Sequence, residues 1–162
     1  MKPTVYIETS IVSYLTARPS GDLIVAAHQK ITQDWWENQR GFFELYSSQL
    51  VSDEAKSGNP LATVRRLQAL QEIPLLDIND QVEPLAKRLI TLGALPAKAQ
   101  EDASHLAIAT VHEMNYLLTW NCRHLANVQI FLAVQRINDQ SGYRTPIICT
   151  PLQLLGEQLY VD

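Results

Sequence analysis

The sequence predicts an α/β fold, a three-layer α/β/α sandwich around a mostly parallel central sheet of about five strands. Short apolar runs rich in β-branched and aromatic residues alternate with longer stretches of helical periodicity. The strand-like runs are apolar throughout rather than alternating, as strands covered on both faces are. At 162 residues, with no internal repeat, low-complexity segment or Gly/Ser-rich linker, the chain is expected to form a single domain over 1–162.

Thr4-Val5-Tyr6-Ile7 is the clearest strand, and a helical pattern over 10–15 follows it before Arg18-Pro19-Ser20-Gly21 breaks the chain. Leu23, Ile24, Ala27, Ile31, Trp35 and Trp36 recur at helical spacing, which predicts a helix to about residue 38 with Ser20 or Asp22 as its N-cap. Residues 42–47 read as a second strand and 50–57 as a short helix halted by Gly58-Asn59-Pro60. Pro60 suits the first turn of an amphipathic helix with the apolar stripe Leu61, Val64, Leu67 and Leu70. A short strand over 74–78 comes next, then a helix capped by Asp80 that runs to about residue 92 and is broken by Gly93 and Pro96. The remainder repeats the alternation, with a helix over 102–114, a strand over 116–119, a helix over 128–138, a strand over 147–149 and a final helix over 151–158.

A composition of 46% hydrophobic and 19% charged residues is ordinary for a globular protein. No apolar run approaches the roughly 18 residues of a membrane span, so no membrane partner is expected. The N-terminus enters the first strand at once, without a charged region, an apolar region and a cleavage site, and a cytoplasmic location is expected. Cys122 and Cys149 have no spacing that indicates a disulfide framework or a zinc site, and both are expected to be reduced. A net charge of −4 argues against a broad electrostatic grip on nucleic acid. It does not argue against catalysis on nucleic acid, because a bound metal supplies its own local positive charge.

Three acidic positions stand where strand and helix ends meet. Glu8 closes Val5-Tyr6-Ile7, Glu54 follows Leu50-Val51-Ser52-Asp53, and Asp102 opens the stretch Ala103-Ser104-His105-Leu106-Ala107-Ile108-Ala109. Asn121 lies just past the strand that ends at Thr119. In open parallel sheets, functional groups collect outside the carboxyl ends of the strands. Hard oxygen ligands of this kind suit a divalent metal.

On these segments the chain resembles the PIN-domain family, specifically the VapC-like ribonucleases of bacterial toxin–antitoxin pairs. The resemblance covers nearly the whole chain. It rests on Val5-Tyr6-Ile7-Glu8-Thr9-Ser10, Ser48-Gln49-Leu50-Val51-Ser52-Asp53-Glu54, Asp102-Ala103-Ser104-His105-Leu106-Ala107-Ile108-Ala109 and Leu117-Leu118-Thr119-Trp120-Asn121. It implies a PIN-like fold and a metal-dependent endoribonuclease, the toxin of such a pair, with Mg²⁺ or Mn²⁺ as cofactor. RNA as substrate, a cognate antitoxin as partner and a homodimer are implied with it.

By this resemblance the family's first acidic residue falls on Glu8, its helical Glu on Glu54, its third carboxylate on Asp102 and its fourth acidic position on Asn121. Glu8, Glu54 and Asp102 would bind one metal directly or through water. Asn121 and the Thr119 hydroxyl would orient water, a phosphate or a second ion, with Thr9 and Ser10 as supporting donors. Glu stands at position 8 where the family customarily has Asp, which shifts the oxygens by about one methylene. Asn121 is neutral where many members carry Asp, and a second metal would be held more weakly.

Plain structural alternatives stand beside these assignments. Glu54, next to Asp53, also suits a solvated helix face. Glu8 at the end of a buried strand must be paired, solvated or metal-bound, because burying it alone is costly. Glu101 and Asp102 suit the first turn of a helix, and Asn121 suits a turn. His105, three residues after Asp102 on one helical face, belongs either to the site or to the core. Arg123 and His124 follow Asn121 and either contact RNA phosphate or are ordinary loop residues. Trp35, Trp36 and Trp120 are expected in the core rather than as base-stacking platforms. The stripe from Leu61 to Leu70 is either core or a surface for a homodimer or an antitoxin helix.

The rival function is a catalytically degenerate PIN-like module that binds RNA or a protein partner without cleavage, because Glu8 and Asn121 depart from the family pattern. A nucleotide-binding α/β domain is disfavoured, since Glu8-Thr9-Ser10-Ile11 stands where a Gly-rich loop would follow the first strand.

Overall fold

Val5, Tyr6 and Ile7 are fully buried, which makes β1 (Thr4–Ile7) the central strand of the sheet in the computed structural model, where residues 1–156 are described. β2 (Glu44–Ser48) and β4 (Tyr116–Leu118) pair with its two sides. β3 (Leu75–Leu76) adds to β2 and β5 (Ile147–Cys149) to β4, so the order is β3-β2-β1-β4-β5 and every pairing is parallel.

The helical layers follow from this order. From β1 the chain steps outward to β3, then returns across the sheet to β4 and continues to β5. Right-handed crossovers place the helices of the outward steps on one face and those of the return steps on the other. Accordingly α1 (Thr9–Thr16) packs on α2 (Leu23–Asn38), α3 (Gln49–Ala55) and α4 (Pro60–Leu70), whereas α5 (Val82–Thr91) packs on α6 (Gln100–Val111) and α7 (Val128–Gln140). The five-stranded sheet thus lies between two layers of helices, as the sequence predicts.

Several helix starts are written locally. Asp22 accepts from the Val25 amide at 3.0 Å and caps α2, while Asn59 accepts from the Leu61 amide at 2.9 Å and caps α4 just before Pro60. Other predicted boundaries move. Residues 40–42 form a 3-10 turn, so β2 starts at Glu44 rather than at Phe42. Asp80 does not cap α5, whose N-cap is Gln81 without a side-chain bond. α6 begins at Gln100, so Asp102 lies within its first turn instead of opening it. It ends at Val111 because Glu113 turns the chain with φ 55°. Residues 151–154 form turns where a final helix is predicted, and residues 157 and 158 of that prediction lie outside the described part.

α6 is the most deeply buried helix, with Ala103, Leu106, Ala107, Ile108 and Ala109 fully enclosed. Trp35 is fully buried against Phe43 and Trp36, while Trp36 also carries the Arg40 guanidinium 4.3 Å from its ring centroid. The α4 stripe is divided, for Leu70 is buried but Leu61 and Val64 are 63% and 53% exposed. Among the described residues no helix is long and apolar enough to cross a membrane.

Removing a fully buried indole leaves a cavity, so Trp35→Ala should destabilise the fold by about 3–5 kcal/mol. Leu23→Ala, at an exposed position, should change stability by no more than about 0.5 kcal/mol. Chemical denaturation of both variants against the parent checks the contrast.

Candidate acidic site at the strand ends

The parallel register decides which residues meet at the carboxyl edge of the sheet. Ile7 stands opposite Leu118, and Leu118 opposite Cys149. The next residues, Glu8 and Thr119, therefore emerge side by side, and the ladder continues through Glu8 N–H to Leu118 O at 3.1 Å and Thr119 N–H to Cys149 O at 2.9 Å. This crevice lies between β1 and β4, where the strand order reverses, and such switch points are the usual place for ligands in open α/β sheets.

Glu8 is only 6% exposed, and its carboxylate does not stand alone. One oxygen accepts from the Ser10 amide at 2.7 Å, which caps α1, and the other accepts from the Thr119 hydroxyl at 2.7 Å. Two charge-assisted bonds compensate the burial. Ser10 Oγ lies 3.4 Å from Thr119 Oγ1 and accepts from the Trp120 amide at 2.8 Å, which ties α1 to the loop after β4.

Glu54 reaches the site from α3. Its Oε1 accepts from the Thr9 hydroxyl at 2.5 Å and faces His105 Nε2 at 2.6 Å. Burial pushes the Glu54 carboxyl up, but the hydrogen bonds from His105 and Thr9 outweigh it and hold the group at about 2, against an ordinary 4.5. Glu101, one turn before His105 on α6, lies against Glu54. A shared hydrogen bond with that carboxylate, and its charge, raise the Glu101 carboxyl above its usual range.

Asp102 occupies the opposite side of the crevice. One oxygen accepts from Asn121 Nδ2 at 3.0 Å and the other lies 3.0 Å from His124 Nδ1. Asn121 also shapes its own loop, because its Oδ1 accepts from the Arg123 and His124 amides at 3.2 and 3.0 Å while its amide donates to Thr119 Oγ1 at 2.9 Å. The turn role and the site role of Asn121 are thus fulfilled by different atoms. Asn121 in turn binds both Thr119, which holds Glu8, and Asp102.

The predicted residues are therefore linked. Glu54 is joined to Thr9 beside Glu8, Glu8 to Thr119, Thr119 to Asn121, and Asn121 to Asp102. His105 belongs to the site through Glu54 and His124 through Asp102. Arg123 is exposed, and among the described residues its guanidinium makes no bond to the acidic side chains. Trp120 is half-buried, its indole stacked on His28 at 4.0 Å between centroids and its N–H donated to Thr32 at 2.7 Å.

Glu101, Tyr6 and Ser48 are partners that sequence reasoning passed over. Glu101 stands four residues before His105, a spacing that puts both on one helical face. Ser48 is legible as the N-cap of α3, accepting from the Val51 amide at 3.4 Å. Tyr6 reads from sequence as an ordinary core aromatic, and nothing in the strand pattern announces that its hydroxyl bonds Ser48 at 2.8 Å and His105 Nδ1 at 2.7 Å.

Among the described residues no three His, Cys, Asp or Glu side chains are gathered closely enough to hold a metal ion. The carboxylates are engaged instead by hydroxyl, amide and imidazole groups. The donor set nevertheless has the chemistry of a hard divalent cation site, being carboxylate oxygens with two carboxyl groups, Glu54 and Glu101, pressed together.

Neither a protein-family model nor a curated protein matches the sequence. Among solved structures, the chain is similar to one from VapBC2 of Rickettsia felis bound to a DNA fragment from their promoter. The TM-score is 0.57 at 14% identity, with 91% of this chain and 98% of that chain covered. At this identity the likeness is one of fold, and the protein has a three-layer α/β/α PIN-like fold of the kind its strand-end motifs imply.

A carboxyl held below its ordinary value adds stability above that value and loses it as the pH falls. The Glu54 contribution should be full above pH 4.5 and fade toward pH 2, and Glu54→Gln should show a shallower loss across that window. Denaturant midpoints measured at several pH values between these limits check the difference.

Proposed function

We propose that this protein is a metal-dependent endoribonuclease that hydrolyses RNA phosphodiester bonds, the toxin of a toxin–antitoxin pair. The observation that carries this reading is the linked set Glu8, Glu54, Asp102 and Asn121 in the crevice between β1 and β4 of a PIN-like fold. The similarity to a chain of VapBC2 supports an antitoxin as partner. A homodimer, an RNA substrate and a cytoplasmic location belong to the same reading.

Glu8, Glu54 and Asp102 would hold Mg²⁺ or Mn²⁺, with Asn121 orienting Asp102 through Nδ2, and the ion would supply charge stabilisation to the attacking and leaving oxygens and acidify bound water. The chain's own groups set the stage for that chemistry. Thr119 donates to Glu8 and receives the Asn121 amide, so one hydroxyl fixes the positions of Glu8 and Asn121. Thr9 and His105 fix Glu54 in the same way. The Thr9 and Thr119 hydroxyl protons are committed to carboxylates, and on this reading metal-activated water is the nucleophile. His124, in contact with Asp102, would meet an RNA phosphate on this reading.

A second reading is favoured by one observation, the engagement of Glu8, Glu54 and Asp102 by hydroxyl, amide and imidazole groups, with no three ligating side chains gathered among the described residues. On that reading the protein is a PIN-like module that binds RNA or a protein partner without cutting.

Cleavage of a mixed RNA pool by the purified protein separates the two. Activity should depend on Mn²⁺ or Mg²⁺, vanish with EDTA and fall at least about 100-fold in Asp102→Asn, since ligand loss acts on every turnover. Full activity in Asp102→Asn would overturn the site assignment, and absence of both cleavage and calorimetric metal binding would favour the non-cleaving module. Asn121→Asp adds a hard anionic ligand at the fourth position and should tighten Mn²⁺ binding, as read by calorimetry.

A further inference from the structure

Behind the acidic crevice lies a row of buried polar groups that the proposed reaction does not use directly. Ser48, Tyr6 and His105 are each at most 1% exposed, yet they come from β2, β1 and α6 and meet through hydroxyl and imidazole atoms. Ser48 Oγ is 2.8 Å from Tyr6 Oη, Tyr6 Oη is 2.7 Å from His105 Nδ1, and His105 Nε2 is 2.6 Å from Glu54 Oε1. Buried hydroxyl and imidazole groups are costly unless every donor finds an acceptor, so the direction of each bond can be worked out.

Ser48 Oγ accepts from the Val51 amide, and among the described residues the one acceptor facing its own proton is Tyr6 Oη, so the row of donors starts at Ser48. Burial keeps the Tyr6 phenol protonated. Tyr6 Oη, accepting from Ser48, turns its own hydrogen to His105 Nδ1, which accepts through its lone pair, and the ring proton sits on Nε2, facing Glu54 Oε1. All the donors point one way, from Ser48 through Tyr6 and His105 to Glu54, and none is left unpaired.

We propose that Ser48 and Tyr6 fix His105 as the neutral tautomer protonated on Nε2, and that His105 is a positioning residue which clamps Glu54 Oε1 so that Oε2 is presented to a divalent cation. The cation half of this inference rests on the metal-dependent reading given above. Thr9 donates to the same Oε1, so neither of these two bonds engages Oε2, which is left to the cation or to the neighbouring Glu101 carboxyl. A partner that orients a ligand in this manner typically changes metal affinity or activity by about 10- to 100-fold when it is lost.

Two measurements on the intact protein test the proposal. Long-range ¹H–¹⁵N correlation of the His105 ring at neutral pH, without metal or RNA, should show a protonated Nε2 and an unprotonated Nδ1. Tyr6→Phe keeps the buried ring but removes the donor, and should lose the fixed tautomer and weaken Mn²⁺ binding about tenfold. His105→Leu should weaken it by about 10- to 100-fold, whereas His105→Gln, which can return an N–H to Glu54, should recover part of that loss. Circular dichroism confirms that each variant is folded before its affinity is compared.

An imidazolium, a proton on Nδ1 in the parent protein, or unchanged Mn²⁺ affinity in a folded Tyr6→Phe variant would overturn the relay while leaving the ribonuclease reading intact. Binding of Mn²⁺ without RNA cleavage would end the ribonuclease reading alone, with the predicted affinity losses still supporting the relay. A parent protein that binds no Mn²⁺ would overturn the presentation of Oε2 together with metal dependence.

Discussion

The hydrogen bond from Thr119 to Glu8 is the interaction on which the rest of the site depends. A carboxylate at the end of a central strand, nearly closed off from solvent, is unfavourable unless donors meet both oxygens. Here one donor is local, the Ser10 amide at the start of α1, and the other comes from the neighbouring strand. The second exists only if β1 and β4 pair in the observed register, with Ile7 opposite Leu118. A slip of one residue would turn Thr119 away, because successive strand side chains face opposite sides. The polar requirement of Glu8 and the apolar packing of Val5 to Ile7 therefore select the same pairing.

From that anchor the remaining groups are placed by helix starts. α1 begins at Thr9 and carries it to Glu54; α3 begins under the Ser48 cap and carries Glu54 inward; α6 brings Asp102 and His105 from one element. The loop after β4 is fixed by Asn121, whose amide, carbonyl and side chain are all bonded. The crevice is consequently built from short-range bonds at element ends, while the elements themselves are held by the apolar core. Rigid supports of this kind keep polar groups oriented without requiring them to pack against each other.

Much of this was legible in the sequence because it obeys local rules. Val5 to Ile7 reads as a buried strand, Asp22 and Asn59 read as caps, and the acidic residues at strand and helix ends mark the carboxyl edge of the sheet. What was not legible depends on pairs distant in sequence. Tyr6 and His105 are 99 residues apart, and the hydroxyl of a strand tyrosine gives no periodic signal of its partner. Asp80 looked like a cap and is not one, since α5 starts after it and the chain turns at Gln81 instead. Glu101 looked like an ordinary first-turn acid until α3 brought Glu54 against it.

The two edges of the sheet have a bearing on how this molecule meets others. β3 is two residues long and β5 three, so each rim offers very few free backbone groups. Short rims are poor templates for an added strand, and they guard a parallel sheet against joining another edge to edge. Leu23, Ile24, Leu61 and Val64, by contrast, keep large apolar surfaces open on α2 and α4. Any association of this protein would thereby be steered from backbone pairing, which any sequence can satisfy, toward side-chain fit on helices, which discriminates among partners.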